Sequence, residues 1–100
     1  MDSTPATLND LRARRERILE IARQYRAGNL RVFGSVARGE ATPQSDVDLL
    51  VDFEPGYALR DHIRLTQALS ALLGRKVEIV AEDDLREELR PSILRDVVTL

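Results

Sequence analysis

The sequence predicts one small α/β domain of the α+β type, in which helices pack mainly on one face of a mixed sheet of three or four strands. Short apolar runs typical of strands alternate with segments of helical periodicity, and glycine or proline residues separate them. A chain of 100 residues can bury one modest core. We therefore expect a single domain over residues 1–100, with a loose tail over residues 1–6.

The first predicted helix starts after a capping signal. Thr7 and Asp10 have the spacing of a capping box, with Asp in place of the usual Glu. Gly28 suits the left-handed conformation that ends many helices. Apolar residues between them fall on one helical face: Leu8, Leu11, Ile18, Ala22 and Tyr25. The pattern predicts one continuous helix that stops near Gly28.

Two strand candidates flank a short helix and a loop. The first strand candidate covers residues 30–33, and Gly34 interrupts it before a short helix through Arg38. Residues 40–45 are polar and contain a proline, which favours a loop. Val47–Phe53 is the second strand candidate, and its alternate residues Val47, Leu49, Val51 and Phe53 are expected to face the core.

The second half of the chain continues the alternation. Apolar residues at helical spacing from Leu59 to Leu73 predict a long helix that Gly74 closes. A third strand is expected over residues 77–80, followed by a short acidic helix over residues 82–89. Pro91 suits the first turn of a last helix. The inward residues of that last helix are expected to be Ile93, Leu94, Val97 and Val98.

Composition and charge exclude several function classes. A formal net charge of −2 gives no bulk attraction to nucleic acid, so we interpret the basic run Arg12–Arg17 as a solvated helix face. The absence of cysteine excludes disulfides and thiol chemistry. We see no apolar stretch of the length that spans a bilayer and no signal segment, so we expect a cytoplasmic protein.

Two aspartates at the head of the second strand candidate are the strongest chemical signal. Asp46 and Asp48 are spaced i, i+2, so on a strand their side chains point the same way. Neighbouring carboxylates repel each other unless a cation lies between them. Mg²⁺ bound to a nucleotide is the obvious cation, because it prefers hard oxygen ligands and phosphates. The pair therefore predicts a site for a nucleoside triphosphate.

The segment upstream of these aspartates has the composition of a phosphate-binding loop. Gly34 lets the backbone approach a phosphate closely, and Ser35 can donate from its hydroxyl and its backbone N–H. A helix that starts there aims further N–H groups at the anion. Arg38 lies one turn along and is predicted to reach a phosphate. An ordinary turn, with Arg38 solvated, is the alternative interpretation.

A third carboxylate is expected because two-metal transfer sites commonly use one from a neighbouring strand. Glu78 is the candidate, since it lies between Val77 and Ile79 and therefore faces away from their core side. An edge strand with one wet face is the alternative explanation for Glu78. In the same way, Asp46 and Asp48 have the alternative interpretation of a polar strand edge and turn cap.

The chain resembles the minimal nucleotidyltransferases of the DNA polymerase beta superfamily. The resemblance is carried by residues 34–39 and 45–51, which match that family's signature throughout. It extends more loosely to residues 73–80 and 90–94, and covers about residues 8–100. The most similar group is the antitoxin half of the bacterial HEPN/minimal-nucleotidyltransferase toxin–antitoxin pairs. The resemblance implies the nucleotidyltransferase fold.

The resemblance also implies the activity and its site. ATP would be the donor and Mg²⁺, as two ions, the cofactor; AMP would pass to a tyrosine of the cognate HEPN toxin, silencing its ribonuclease activity. The expected catalytic and metal-binding residues are Asp46, Asp48 and Glu78. The expected nucleotide-binding residues are Gly34, Ser35, Arg38 and Ser45. The chain and its toxin would form a hetero-oligomer.

Two alternatives to this enzyme stay open. The third acidic position usually carries Asp, and Glu78 is one methylene longer. A shift of about an angstrom in a catalytic group can cost on the order of a hundredfold in rate. The chain would then be a non-catalytic antitoxin that neutralises its toxin by binding alone. The second alternative is a nucleotidyltransferase for a small molecule such as an aminoglycoside.

Overall fold

A computed structural model describes residues 4–100. Over that range the chain forms a four-stranded sheet in the order β3-β2-β1-β4, surrounded by helices. The strands are β1 Ala27–Phe33, β2 Val47–Phe53, β3 Val77–Ala81 and β4 Val98–Thr99. The helices are α1 Leu8–Ala13, α2 Arg15–Gln24, α3 Gly34–Arg38, α4 Leu59–Leu73 and α5 Arg90–Asp96. The predicted fold class and strand number are confirmed.

The sheet is mixed, because its strands pair in both directions. β1 pairs antiparallel with both β2 and β4, whereas β2 pairs parallel with β3. The chain can make the parallel β2–β3 connection because α4 crosses over between them. This arrangement leaves β2 and β1 in the centre and β3 at one edge of the sheet.

The main core lies between one face of the sheet and helices α2 and α4. These two helices contact each other, α2 contacts β1 and α4 contacts β3. The predicted inward residues of β2 all belong to this core or pack against it. Its buried helix residues include Ile18, Ile21, Ala22, Leu65 and Leu69. The opposite face of the sheet carries the charged residues of the strands.

The opposite face is covered only in part. A 3₁₀ turn at Glu82–Asp84 contacts β2, and α5 contacts β1 and α3. Leu50 lies on this side of β2 and is fully buried, although it is not part of the main core. The neighbouring carboxylate positions on this face, Asp48 and Asp52, keep access to solvent.

The predicted first helix is wrong in its length and continuity. The capping box of Thr7 and Asp10 is confirmed, but the helix breaks at Arg14, where φ is −111° and ψ is 17°. There the guanidinium donates to the Leu72 carbonyl at the end of α4, 2.6 Å away. The second piece ends at Gln24 rather than near Gly28. Arg26, with φ of 64°, adopts the left-handed turn that had been expected of the glycine.

Two predictions near the C-terminus are also wrong. Instead of an acidic helix over residues 82–89, only Glu82–Asp84 forms a 3₁₀ turn, because buried Leu85 and the ion pairs of Glu82 hold the segment against the sheet. The last helix ends at Asp96, and Val98 belongs to β4 rather than to a helix. Val98 pairs with Val32, so the backbone hydrogen bonds of the β1 edge are satisfied there.

The N-terminal tail prediction falls partly outside the described residues, at positions 1–3. Thr4 lies outside the helices and strands, but its carbonyl accepts a hydrogen bond of 2.7 Å from Arg75. Ala6 is buried in the core. The chain is therefore packed into the fold from Ala6 onward, which is one residue earlier than the predicted tail allows. Within residues 4–100, no helix has the length and apolar character needed to cross a bilayer.

Candidate active site

The strand register brings together the carboxylates that the sequence predicted. In the parallel β2–β3 pair Asp48 lies directly beside Glu78, and in the antiparallel β1–β2 pair it lies opposite Phe33, the last residue of β1. Asp46 precedes β2 by one residue, on the same side as Asp48. Gly34 and α3 follow Phe33. The phosphate-loop residues therefore lie on one side of Asp48 and Glu78 on the other.

Gly34 is required by its backbone conformation and by the proximity of Asp48. Its φ is +73°, in the left-handed region that side chains other than glycine resist. A Cβ at this position would run into the Asp48 Oδ2. The glycine thus allows the loop backbone to lie against the carboxylate, which is the contact a bound phosphate next to that carboxylate would need.

The electrostatics of Asp48 are unfavourable in the protein alone. Partial burial, together with the charges of Glu78 and Asp46, raises the pKa of its carboxyl to about 6. Arg38 opposes this shift by lowering the pKa. A carboxylate pair or triad with this mutual repulsion is stabilised by a bound cation. The site therefore has the charge distribution of a cation site.

The donor set fits Mg²⁺ when a nucleotide is counted as a ligand. Among residues 4–100, no three His, Cys, Asp or Glu side chains come close enough together to form a protein-only metal site. Mg²⁺ does not require one, because it is usually held by one or two carboxylates, water and substrate phosphates. Asp46 and Asp48 would hold it. Glu78, which is exposed on β3, would take part if its side chain turned toward Asp48.

Arg38 lies near the carboxylates but already has two acidic partners. Its Nε donates to Glu40 Oε2 at 3.0 Å and its Nη1 to Asp96 Oδ2 at 2.8 Å. The hydrogen bonds to Glu40 and Asp96 raise the pKa of its guanidinium. A phosphate would therefore have to share Arg38 or displace these carboxylates. Sequence reasoning missed both partners.

The other two predicted nucleotide residues differ in their positions. Ser35 is the second residue of α3, where its hydroxyl and backbone N–H lie beside Gly34 at the start of the helix. Ser45 lies in the loop before β2, and its Oγ accepts a hydrogen bond of 2.9 Å from the Thr42 N–H. Ser45 thus stabilises the loop that delivers Asp46, and its contact with a nucleotide stays a prediction.

Lys76 is a further residue of the site that sequence reasoning did not identify. Its Nζ lies 3.6 Å from Asp46 Oδ2, and its carbonyl accepts a 3.0 Å hydrogen bond from the Val47 N–H. A signal was present, because it is the only lysine in the sequence and precedes Glu78 by two residues. Placing it beside Asp46 required the parallel β2–β3 register, which the sequence pattern did not provide.

The basic run and the lone histidine have structural roles. Arg12 and Arg15 donate to the carbonyls of Thr99 and Leu100, at 3.4 and 3.1 Å. His62 Nε2 lies 2.8 Å from the Ile79 carbonyl oxygen, and the His62 ring contacts Phe53. These residues are accounted for by contacts within the fold.

Comparison with known proteins identifies the family of this chain. Residues 15–99 match the model of the nucleotidyltransferase domain family. A relative named Protein adenylyltransferase MntA, from Thermococcus cleftensis, is 42% identical over 79% of this chain and 80% of its own length. A solved structure provisionally described as a minimal nucleotidyltransferase is 52% identical, with a TM-score of 0.83 over 95% of this chain and 97% of its own.

A more distant structure shares the fold. One chain of a complex between tri-AMPylated Shewanella oneidensis HEPN toxin and an MNT antitoxin superposes with a TM-score of 0.67 at 17% identity. The superposition covers 88% of this chain and 69% of that one. The family match spans most of the chain and includes the Gly34 loop and the Asp46–Asp48 pair. The chain belongs to the nucleotidyltransferase domain family.

Proposed function

We propose that the chain is a Mg²⁺-dependent protein adenylyltransferase and the antitoxin of a toxin–antitoxin pair. It transfers AMP from ATP to a tyrosine hydroxyl of a cognate HEPN-domain toxin in the cytoplasm and thereby silences the toxin. The two proteins associate as a hetero-oligomer.

One observation supports this proposal most strongly: the Gly34 backbone lies against the carboxylate of Asp48, which itself lies beside Glu78. A loop suited to phosphates and a carboxylate pair suited to a cation therefore converge on one point. The names of the relatives support the choice of a protein acceptor, because the Thermococcus cleftensis relative is named a protein adenylyltransferase. The MNT antitoxin of the Shewanella oneidensis complex supports an AMPylated HEPN toxin as partner.

The residues of this chain have separable roles in the proposed reaction. Gly34, Ser35 and the first N–H groups of α3 bind the phosphates, and Arg38 supplies a positive charge beside them. Asp46 and Asp48 hold the nucleotide-bound Mg²⁺, which when present offsets the negative charge that develops during the transfer. Glu78 accepts the proton of the acceptor hydroxyl. The oxygen then bonds to the α-phosphorus, and diphosphate leaves.

The proposal is tested with labelled ATP, Mg²⁺ and the product of the neighbouring gene, which we expect to be the HEPN-domain protein. We expect label to appear on that protein, to map to a tyrosine, and to be absent with Asp46→Ala or Asp48→Ala. Asp83→Ala is a matched control, because Asp83 is exposed in the 3₁₀ turn away from the carboxylate pair.

The toxin's ribonuclease activity is measured in the same samples. We expect it to fall only when AMP is transferred. Neutralisation that survives both alanine variants would contradict the enzyme and establish neutralisation by binding. Label on an aminoglycoside but not on the HEPN-domain protein would establish a small-molecule transferase instead.

A further inference from the structure

Lys76 stands out because of its residue type and its position. It is the only lysine in a sequence that otherwise uses arginine for its permanent positive charges. Its Nζ lies 3.6 Å from Asp46 Oδ2, and its side chain is 78% exposed. Ion pairs this exposed contribute little to stability, since solvent screens them. The position of Lys76 is therefore not explained by the folding of the chain.

The strand register places Lys76 next to the candidate base. Lys76 immediately precedes β3, and its carbonyl still accepts the hydrogen bond from the Val47 N–H of β2. Lys76 and Glu78 are two residues apart, so along this extended backbone they share a face. Val47 pairs with Val77 and Asp48 with Glu78, which extends the register to Asp46 beside Lys76. The sheet face that carries Asp46 and Asp48 therefore also presents the Lys76 ammonium and the Glu78 carboxylate.

The sheet order separates a donor side from an acceptor side. Gly34 and α3 follow β1, whereas Glu78 belongs to β3 and Lys76 immediately precedes that strand, and β2 lies between β1 and β3. In phosphoryl-type transfers the attacking oxygen and the leaving oxygen lie roughly in line, on opposite sides of the phosphorus. If α3 holds the diphosphate portion of ATP, the acceptor oxygen approaches from β3. β3 is the edge strand, so within residues 4–100 no further strand covers this side.

We propose that Lys76 is a further catalytic residue, which binds the acceptor oxygen on the β3 side; this inference rests on the proposed adenylyl transfer. The acceptor hydroxyl gives its proton to Glu78, its oxygen forms a bond with the α-phosphorus, and the bond from that phosphorus to the bridging oxygen of the β-phosphate breaks. Diphosphate leaves with the electron pair of that bond. The Lys76 ammonium donates a hydrogen bond to the acceptor oxygen as negative charge develops on it.

The test compares Lys76→Met, Lys76→Arg and a control, Arg64→Met. Arg64 is exposed on α4, which packs on the other face of the sheet, and it makes no ion pair within residues 4–100. Two quantities are measured: the dissociation constant of ATP·Mg²⁺ without partner, by calorimetry, and the rate of AMP transfer to the HEPN-domain protein. Thermal unfolding shows that each variant is folded.

We expect Lys76→Met to slow AMP transfer by about tenfold, because an exposed donor to the reacting oxygen contributes less than a fully enclosed one. Its ATP·Mg²⁺ dissociation constant should stay at the wild-type value. Lys76→Arg should keep most of the transfer rate, and Arg64→Met should change neither quantity. Transfer at the wild-type rate in Lys76→Met, or a loss of ATP affinity equal to the loss of rate, would overturn the inference.

Lysine-selective reductive methylation gives a second measurement that does not depend on turnover. Mass spectrometry reads methylation at position 76, since it is the only lysine side chain in the sequence. ATP·Mg²⁺ alone should leave its rate of modification unchanged, whereas the HEPN-domain protein should slow it. Protection by ATP·Mg²⁺ alone would place Lys76 on the donor side and overturn the inference.

The same assay distinguishes failure of the proposed function from failure of the Lys76 inference. Wild-type protein that transfers no AMP in the same assay would refute the adenylyltransferase, and with it the acceptor-side role. Wild-type protein that transfers AMP while Lys76→Met does so equally well would refute only the role of Lys76.

Discussion

The two ends of β2 present carboxylates on the same face of the sheet, but their surroundings differ. At one end Asp48 has Glu78 and Asp46 as its acidic neighbours, and its carboxyl has a pKa raised to about 6. At the other end Asp52 accepts a 2.9 Å hydrogen bond from Asn29 and pairs with Arg31 at 2.8 Å. The hydrogen bond from Asn29 lowers the pKa of the Asp52 carboxyl most strongly, and its contacts with Glu82 and Arg31 lower that pKa as well.

The Asp52 end is neutralised within the fold. The Arg31 side chain, only 12% exposed, pairs with both Asp52 and Glu82, and Arg90 lies 3.9 Å from Glu82. Asp52 and Glu82 therefore each have a cationic partner in this chain. The Asp48 end has three carboxylates, an arginine already shared by two acids, and one exposed lysine. A fold that can neutralise one end but leaves the other repulsive indicates that the second end takes its counter-charge from a ligand.

Alanine substitution at the two ends should separate them most clearly. Asp48→Ala should lower AMP transfer by about a thousandfold, because several kcal/mol of charge stabilisation in the transition state would be lost. Asp52→Ala removes a carboxylate from the same strand face and should leave the transfer rate close to that of wild type. Rates measured with labelled ATP decide this, and equal losses in the two variants would contradict the distinction between the ends.

Substitution of Gly34 tests whether the loop contact matters for the Asp48 end. Gly34→Ala should displace the Asp48 carboxylate and slow transfer by about a hundredfold. Gly56→Ala is the matched control, since Gly56 has a φ of +85° but nothing within 4 Å of an added Cβ. Both variants should lose about 1–2 kcal/mol of unfolding free energy through backbone strain. A Gly34→Ala enzyme as active as the Gly56→Ala one would exclude a role for the contact.

The pH dependence of stability should have opposite signs at the two ends. The folded pKa of Asp48, about 6, exceeds the ordinary aspartate value of 3.8 that applies in the unfolded chain, so between these values the folded state binds more protons than the unfolded state. The contribution of Asp48 to the free energy of unfolding is therefore favourable below pH 4 and is lost as the pH rises through about 6. Asp48→Asn should accordingly stabilise the protein at pH 7.5 by about 1 kcal/mol, allowing for solvent screening.

Urea unfolding across this pH range measures the effect. The stabilisation by Asp48→Asn should shrink as the pH falls from 7.5 to 4. A variant less stable than wild type at pH 7.5 would show that the Asp48 carboxylate is already neutralised within the fold.

The smallest effect is expected at Asp52. Its pKa is lowered in the folded state, so its contribution to stability is present above the unfolded pKa of 3.8 and is lost at lower pH. Asp52→Asn should destabilise the protein at pH 7.5 by less than about 1 kcal/mol, because the side chain is 46% exposed. The same urea titrations test this prediction. If Asp52→Asn stabilised the protein, the expected opposite effects of substitution at Asp48 and Asp52 would be contradicted.

Much of the fold follows from local pattern, and the exceptions have tertiary causes. The periodicities placed β2 and α4 correctly because each buries one face against the core. The continuous first helix was wrong because Arg14 bonds to the Leu72 carbonyl, which is distant in sequence. The helix expected over residues 82–89 was wrong because burial of Leu85 and the ion pairs of Glu82 outweigh helical propensity.

Some features of the candidate site also follow from the sequence, whereas others depend on tertiary packing. The spacing of Gly34, Asp46 and Asp48 predicted a shared site, and the structure brings Gly34 against Asp48. The partners of Arg38 and the position of Lys76 could not be predicted, because they depend on where α5 packs and on the β2–β3 register. The metal-binding and catalytic roles of Asp46, Asp48 and Glu78 stay predictions.

Calorimetric titration of ATP into the purified protein, with and without Mg²⁺, tests most directly whether the Asp48 end is a nucleotide–metal site. Wild type and Asp52→Asn should bind ATP only when Mg²⁺ is present, whereas Asp48→Asn should lose that binding. Binding of ATP that is independent of Mg²⁺, or that survives Asp48→Asn unchanged, would contradict the assignment.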